Sequence, residues 1–107
     1  MDRRILIQME RPHMAMNVGA WRALADPTRW TIVQLLADKP LSVTELCDEL
    51  EMAQSSVSWH LDQLKRAELV EARQRGYFSV YQLRADSLDA LAARLATLAR
   101  RARQRSP

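Results

Sequence analysis

The sequence predicts a mainly α-helical domain with a small β-hairpin wing, a winged helix-turn-helix of about five helices, and three observations in residues 41–83 carry that expectation. Two short helical segments meet at a tight turn through Glu51-Met52-Ala53. In the second segment Val57, Leu61 and Leu64 stand at i, i+4 and i+7 and form one apolar stripe, while Ser55, Ser58, Trp59, Asp62 and Arg66 occupy the opposite face. A hairpin follows, starting at Leu69-Val70, turning at Arg75-Gly76 and returning through Tyr77, Phe78, Val80 and Tyr81. A helix that turns small and hydrogen-bonding groups outward fits a DNA major groove, about 12 Å wide, and can present them to base edges.

The remaining elements follow in order. Residues 1–15 form a leader without helical period, interrupted by Pro12; Arg4–Met9 suits a short strand or disorder equally, and His13-Met14 resembles a cloning junction. The domain runs over 16–105. Asn17 is a plausible N-cap for a first helix whose Val18, Trp21, Leu24 and Ala25 keep helical spacing. Asp26-Pro27 then starts a second helix, with aspartate as N-cap and proline at the first helical position. Its Trp30, Ile32, Val33, Leu35 and Leu36 predict a buried central helix that Lys39-Pro40 stops. Thr44 is expected to cap the third helix, with Glu45 in its first turn and Leu46 and Leu50 facing inward; Gln54 or Ser55 opens the fourth.

Asp86 or Ser87 is expected to cap a last helix reaching about Arg103, in which Leu88, Leu91, Leu95, Leu98 and Ala102 form a 3.5-residue seam. The reading unit already uses its own apolar residues, so this seam calls for another surface. A second copy of the chain is the expected cover, with Trp21 and Leu24 in support; packing back onto its own domain is the alternative. Two-fold pairing would place two reading helices about 34 Å apart.

Composition narrows the function classes. At 107 residues the chain can build one modest core. No apolar run approaches the roughly 20 residues that span a bilayer, and MDRRILIQMERPHM has neither an apolar signal core nor a cleavage motif, so no membrane association and a cytoplasmic location are expected. The single Cys47 excludes an intramolecular disulfide and fits a reducing compartment. The net charge of +3 is unevenly spread. Glu45, Asp48, Glu49 and Glu51 crowd one segment, whereas Lys65, Arg66, Arg73 and Arg75 collect where a DNA backbone would be met. Arg100, Arg101, Arg103 and Arg105 read equally well as a solvated tail.

The runs ALADPTRWTIVQLL (23–36), LSVTELCDEL (41–50), SSVSWHLDQLKRAELVEAR (55–73) and GYFSVYQL (76–83) resemble the ArsR/SmtB repressors over about residues 18–98. The resemblance implies a homodimeric bacterial or archaeal transcriptional repressor that a signal releases from its operator. Two departures stand out. The family often has glycine in the turn where this chain has Glu51, and it commonly has arginine or lysine where this chain has Trp59, which implies altered sequence preference. Family members that bind thiophilic metals carry a cysteine pair at positions that fall here on Ser42 and Thr44. Cys47 matches only an accessory position, and one thiolate cannot supply the three or four ligands of a soft metal. The last helix offers Asp86 and Asp89 but no histidine. No metal and no cofactor are therefore expected, and the inducer is left unspecified.

The expected DNA-contacting residues are Gln54, Ser55, Ser56, Ser58, Trp59, His60, Gln63, Arg66, Arg73, Arg75 and Tyr77, and the expected dimer contacts are Trp21, Leu24, Leu88, Leu91, Leu95 and Leu98. His60 lies at the edge of the apolar stripe, where it could bond a phosphate or bridge to the third helix; His13 carries no expectation. Cys47 beside Leu46 and Leu50 suits a small buried hydrophobe, with a redox sensor as the alternative. With only Gly19 and Gly76 there is no phosphate-binding loop, and no serine-histidine-aspartate order supports an enzyme. A winged-helix protein-assembly module that never meets DNA is the competing class, and an outward Trp59 suits it.

Overall fold

Asp26, Pro27 and Ser42 set where two of the helices begin. The computed structural model describes residues 19–105; within them the chain forms five helices and a three-stranded antiparallel sheet. Helix α1 is described over residues 19–24 and is followed by α2 (Pro27–Asp38), β1 (Leu41–Ser42), α3 (Val43–Leu50), α4 (Gln54–Arg66), β2 (Val70–Arg75), β3 (Phe78–Leu83) and α5 (Ala85–Arg105). The leader and the Asn17 cap lie outside the described residues.

Helix α2 starts as the sequence predicts. Asp26 is extended, its Oδ2 accepts from the Arg29 N–H at 3.0 Å, and Pro27 occupies the first turn where a missing N–H costs nothing. Ile32, Val33 and Leu36 are buried, but Trp30 is 49% exposed, which corrects the expectation of an all-round buried helix. At 3.6 residues per turn Trp30 sits roughly 110° from the middle of that stripe, beyond the width that the core covers.

The cap of α3 is Ser42, not Thr44. Ser42 Oγ accepts from the Glu45 N–H at 3.1 Å and Glu45 Oε1 accepts from the Ser42 N–H at 2.9 Å, a reciprocal capping box. The cause is a strand absent from the sequence reading. Leu41 and Ser42 pair with Tyr81 and Val80, so Ser42 arrives extended at the helix start and Thr44 is left inside the first turn. The sheet order is β1-β3-β2, and β2 meets β3 from Val70↔Leu83 to Arg75↔Phe78. The turn is Gly76-Tyr77, one residue later than expected, with Gly76 at φ 62.

Two helices end on a non-glycine residue in the left-handed region, Glu51 (φ 54) after α3 and Glu68 (φ 61) after α4. Glu51 therefore accepts the geometry that glycine supplies more cheaply. The apolar stripe of α4 is fully buried, as its spacing predicts: Val57, Leu61 and Leu64 join Ile32, Leu46, Leu69 and Val70 at the centre of the core. Each such side chain contributes about 1.5–3 kcal/mol on burial. Cys47 is half-buried and packs against this core beside Leu50, the place of a small hydrophobe.

Helix α5 begins at Ala85, ahead of both expected caps, and the Ser87 hydroxyl donates to the Glu68 carbonyl at 2.6 Å. The leucine seam divides. Leu91 is 5% exposed in the domain's own core and Leu88 packs against it, as do Trp21 and Leu24, so these four are covered at least partly within one protomer. From residue 92 onward every described residue is exposed, Leu95 by 54% and Leu98 by 56%.

Candidate nucleic-acid interface

Packing of α4 through Val57, Leu61 and Leu64 leaves its N-terminal half turned outward. Gln54, Ser55, Ser56 and Ser58 are exposed, and Trp59 is 57% exposed beside them. The residue before the helix is Ala53, which has no side chain to cap the first turn. The free N–H groups at the positive end of α4, with no acidic residue in its first turn, suit an approaching phosphate.

Along the same helix the other expected contacts divide. Gln63 is half-buried and lines, with Arg22, Arg29, Trp59 and Arg66, a cleft of about 430 Å³ between α1 and α4. Arg66 Nε lies 2.8 Å from Asp62 Oδ2 in an exposed pair one helical turn apart. Such a pair is worth about 0–1 kcal/mol, so a phosphate can compete for the guanidinium.

His60 does not make the bridge to the third helix that the sequence offered as one reading. Its side chain is 14% exposed, and it meets the start of α2 rather than α3. Arg29 Nη1 lies 3.2 Å from His60 Nδ1, and Asp26 Oδ2 lies 3.9 Å from the same nitrogen. The Arg29 Nε–H donates to the Ala23 carbonyl at 2.7 Å, and its Cζ stands 5.8 Å over the Trp59 ring. Trp59 and His60 meet edge to face, 5.0 Å between centroids. The Asp26 carboxyl is held below its ordinary value, first by the Arg29 backbone N–H and further by the Arg29 charge. Sequence reasoning missed Arg29 and Arg22 as members of this site. The only signal was the basic residue closing Asp-Pro-Thr-Arg.

The wing is stiffened by its own side chains. Gln74 Nε2 donates to the Gly76 carbonyl at 3.1 Å and Ser79 Oγ donates to Gln74 Oε1 at 3.2 Å. Arg75, Tyr77 and Phe78 are exposed at the tip. Arg73 is exposed further down the strand, 3.4 Å from Glu71, whose Oε1 also accepts from Gln82. Among the described residues no three His, Cys, Asp or Glu side chains are grouped to hold a metal ion, and Ser42, at one of the family's metal positions, is committed to its cap. No described helix is long and apolar enough to cross a membrane.

Comparison with known proteins points the same way. Residues 26–72 match the family described as bacterial regulatory protein, arsR family. The HTH-type transcriptional regulator Rv2034 of Mycobacterium tuberculosis is 50% identical over 72 residues, which are 67% of each chain. The ArsR-like transcriptional regulator from Rhodococcus sp. RHA1 superposes with a TM-score of 0.81 at 26% identity, covering 88% of this chain and 89% of that one. The homodimeric winged helix-turn-helix DNA-binding domain of Mb0332 from Mycobacterium bovis shares the fold at a TM-score of 0.72 and 23% identity, covering 92% of each chain. Fold, outward α4 face and sequence kinship together place the chain in the arsR family of DNA-binding, winged-helix transcriptional regulators.

Proposed function

We propose that the protein binds a two-fold-symmetric DNA operator as a homodimer and represses by occupying it. The observation that carries this is the uncapped N-terminal half of α4, where Gln54, Ser55, Ser56, Ser58 and Trp59 stand exposed on a rigid, core-anchored helix. Serines can donate to or accept from either kind of base, and an indole can meet a thymine methyl. Arg73, Arg75 and Tyr77 of the wing touch backbone, which positions the protein without reading sequence. The dimer forms through the protruding part of α5, whose Leu95 and Leu98 lack cover in one protomer; the M. bovis neighbour is homodimeric. The described residues serve a reading unit and an association helix, so exclusion of other proteins from the operator is the action they support.

A band-shift titration on the DNA upstream of the protein's own gene, repeated over a salt series, tests the reading. Arg75→Ala should weaken specific and non-specific binding alike and lower the salt slope by about one. Trp59→Ala should cost about 1–3 kcal/mol on the operator alone. Failure of the wild-type protein to bind any duplex at low salt would favour a protein-assembly module instead.

A further inference from the structure

Arg29 belongs to no expected contact set, yet its guanidinium is the meeting point of three elements. Nε donates to the Ala23 carbonyl at 2.7 Å, Nη2 points to the Arg22 carbonyl at 3.5 Å, and Nη1 lies 3.2 Å from His60 Nδ1. Two of these partners are terminal carbonyls of α1, where a cation is favoured. The third is on the reading helix. The same guanidinium faces the Trp59 ring at 5.8 Å, and His60 closes against that ring at 5.0 Å and 76°.

The chemistry of the contact is directional. Arginine has no acceptor, so the Nη1–H can bond Nδ1 only through a lone pair. His60 must then be neutral with its proton on Nε2. A proton on Nδ1 would set donor against donor, and the nearest acceptor for it is Asp26 Oδ2 at 3.9 Å. The charged groups within 4 Å of this nitrogen among the described residues, Arg29 and Asp26, both come from the start of α2.

We propose that Arg29 is a positioning residue for DNA reading: it locks His60 as the Nε2–H tautomer, and the pair fixes the angle at which Trp59 meets the operator. The proposal rests on the operator reading above for its consequence on DNA, and on geometry alone for the lock. Because Arg29 also grips the end of α1, a displacement of α1 reaches Trp59 through one side chain.

Nitrogen-15 NMR of the full chain at neutral pH tests the lock without DNA. The two histidines are told apart by His13→Gln, and the Trp59 indole by its loss in Trp59→Phe. Wild type should show His60 as the Nε2–H tautomer. Arg29→Ala, which keeps the backbone N–H that Asp26 caps, should mix the tautomers and shift the Trp59 indole signal while Trp30 stays in place. Arg29→Lys keeps charge but not the fork, and should not restore the signal. A wild-type Nδ1–H tautomer overturns the lock even if no variant folds, and an unmoved Trp59 signal in folded Arg29→Ala overturns it too.

On the upstream duplex, Arg29→Ala should weaken binding about tenfold in the wild-type background and add nothing beyond the loss in Trp59→Ala. An equal loss in both backgrounds overturns the positioning role and makes Arg29 a direct backbone contact. Wild-type protein that binds no DNA overturns the operator reading and not the lock, which the NMR signals judge by themselves.

Discussion

Asp26 serves two purposes with one carboxylate, capping α2 and facing His60. Removing the cap in Asp26→Ala should destabilise the fold by about 1 kcal/mol, measured by urea unfolding, while Asp26→Asn keeps most of it. The pH dependence has a definite sign. The folded carboxyl titrates below its ordinary value of 3.8, so its contribution is complete above that value and is lost as pH falls through the folded one. Asp26→Asn should flatten this acid limb of the stability curve, and an unchanged limb would assign the acid sensitivity elsewhere. Glu51 makes the opposite case. A side chain held at φ 54 is strained, and Glu51→Gly should raise stability by roughly 0.5–1 kcal/mol in thermal unfolding despite the greater freedom of the unfolded chain.

Among the elements, α4 was the most legible, because a 3.6-residue period marks its buried side and leaves Ser55, Ser56 and Trp59 on the other. β1 was not legible, since two residues carry no alternation. The Ser42 cap was legible and was missed: Ser42 with Glu45 has the Ser-x-x-Glu spacing of a capping box, whereas Thr44 has Cys47 three residues on. His60 was half legible: its place at the stripe edge is local information, but its partner Arg29 is 31 residues away and is chosen by how α2 crosses α4. The α5 seam shows a third limit. Its periodicity runs unbroken through Leu91 and Leu95, although the domain's own core ends between them. That division predicts two outcomes. Leu91→Ala should cost about 2–5 kcal/mol of folding stability. Leu95→Glu with Leu98→Glu should leave each protomer folded by circular dichroism and shift sedimentation from dimer to monomer; a monomeric wild type would refute the dimer.

At the scale of the whole molecule, the elongated shape, 54 × 33 × 22 Å, follows from α5 running past its own core. If two protomers join through that projection, their α4 helices face one side of a duplex about 34 Å apart, roughly one helical turn. Affinity then depends on both half-sites lying on one face, because the second contact is made at the high local concentration set by the first. Inserting five base pairs between the half-sites turns one of them to the far side of the duplex. Binding should fall at least about 100-fold, to the level of a single half-site, in a band-shift titration at fixed salt. A ten-base-pair insertion restores the face but adds a further turn of separation that a rigid dimer cannot span, so it should not recover the loss. The Leu95→Glu, Leu98→Glu monomer should be indifferent to both insertions and bind every probe at the single half-site level. Wild-type binding that ignores the five-base-pair insertion would mean that each protomer reads DNA alone and that α5 serves another partner.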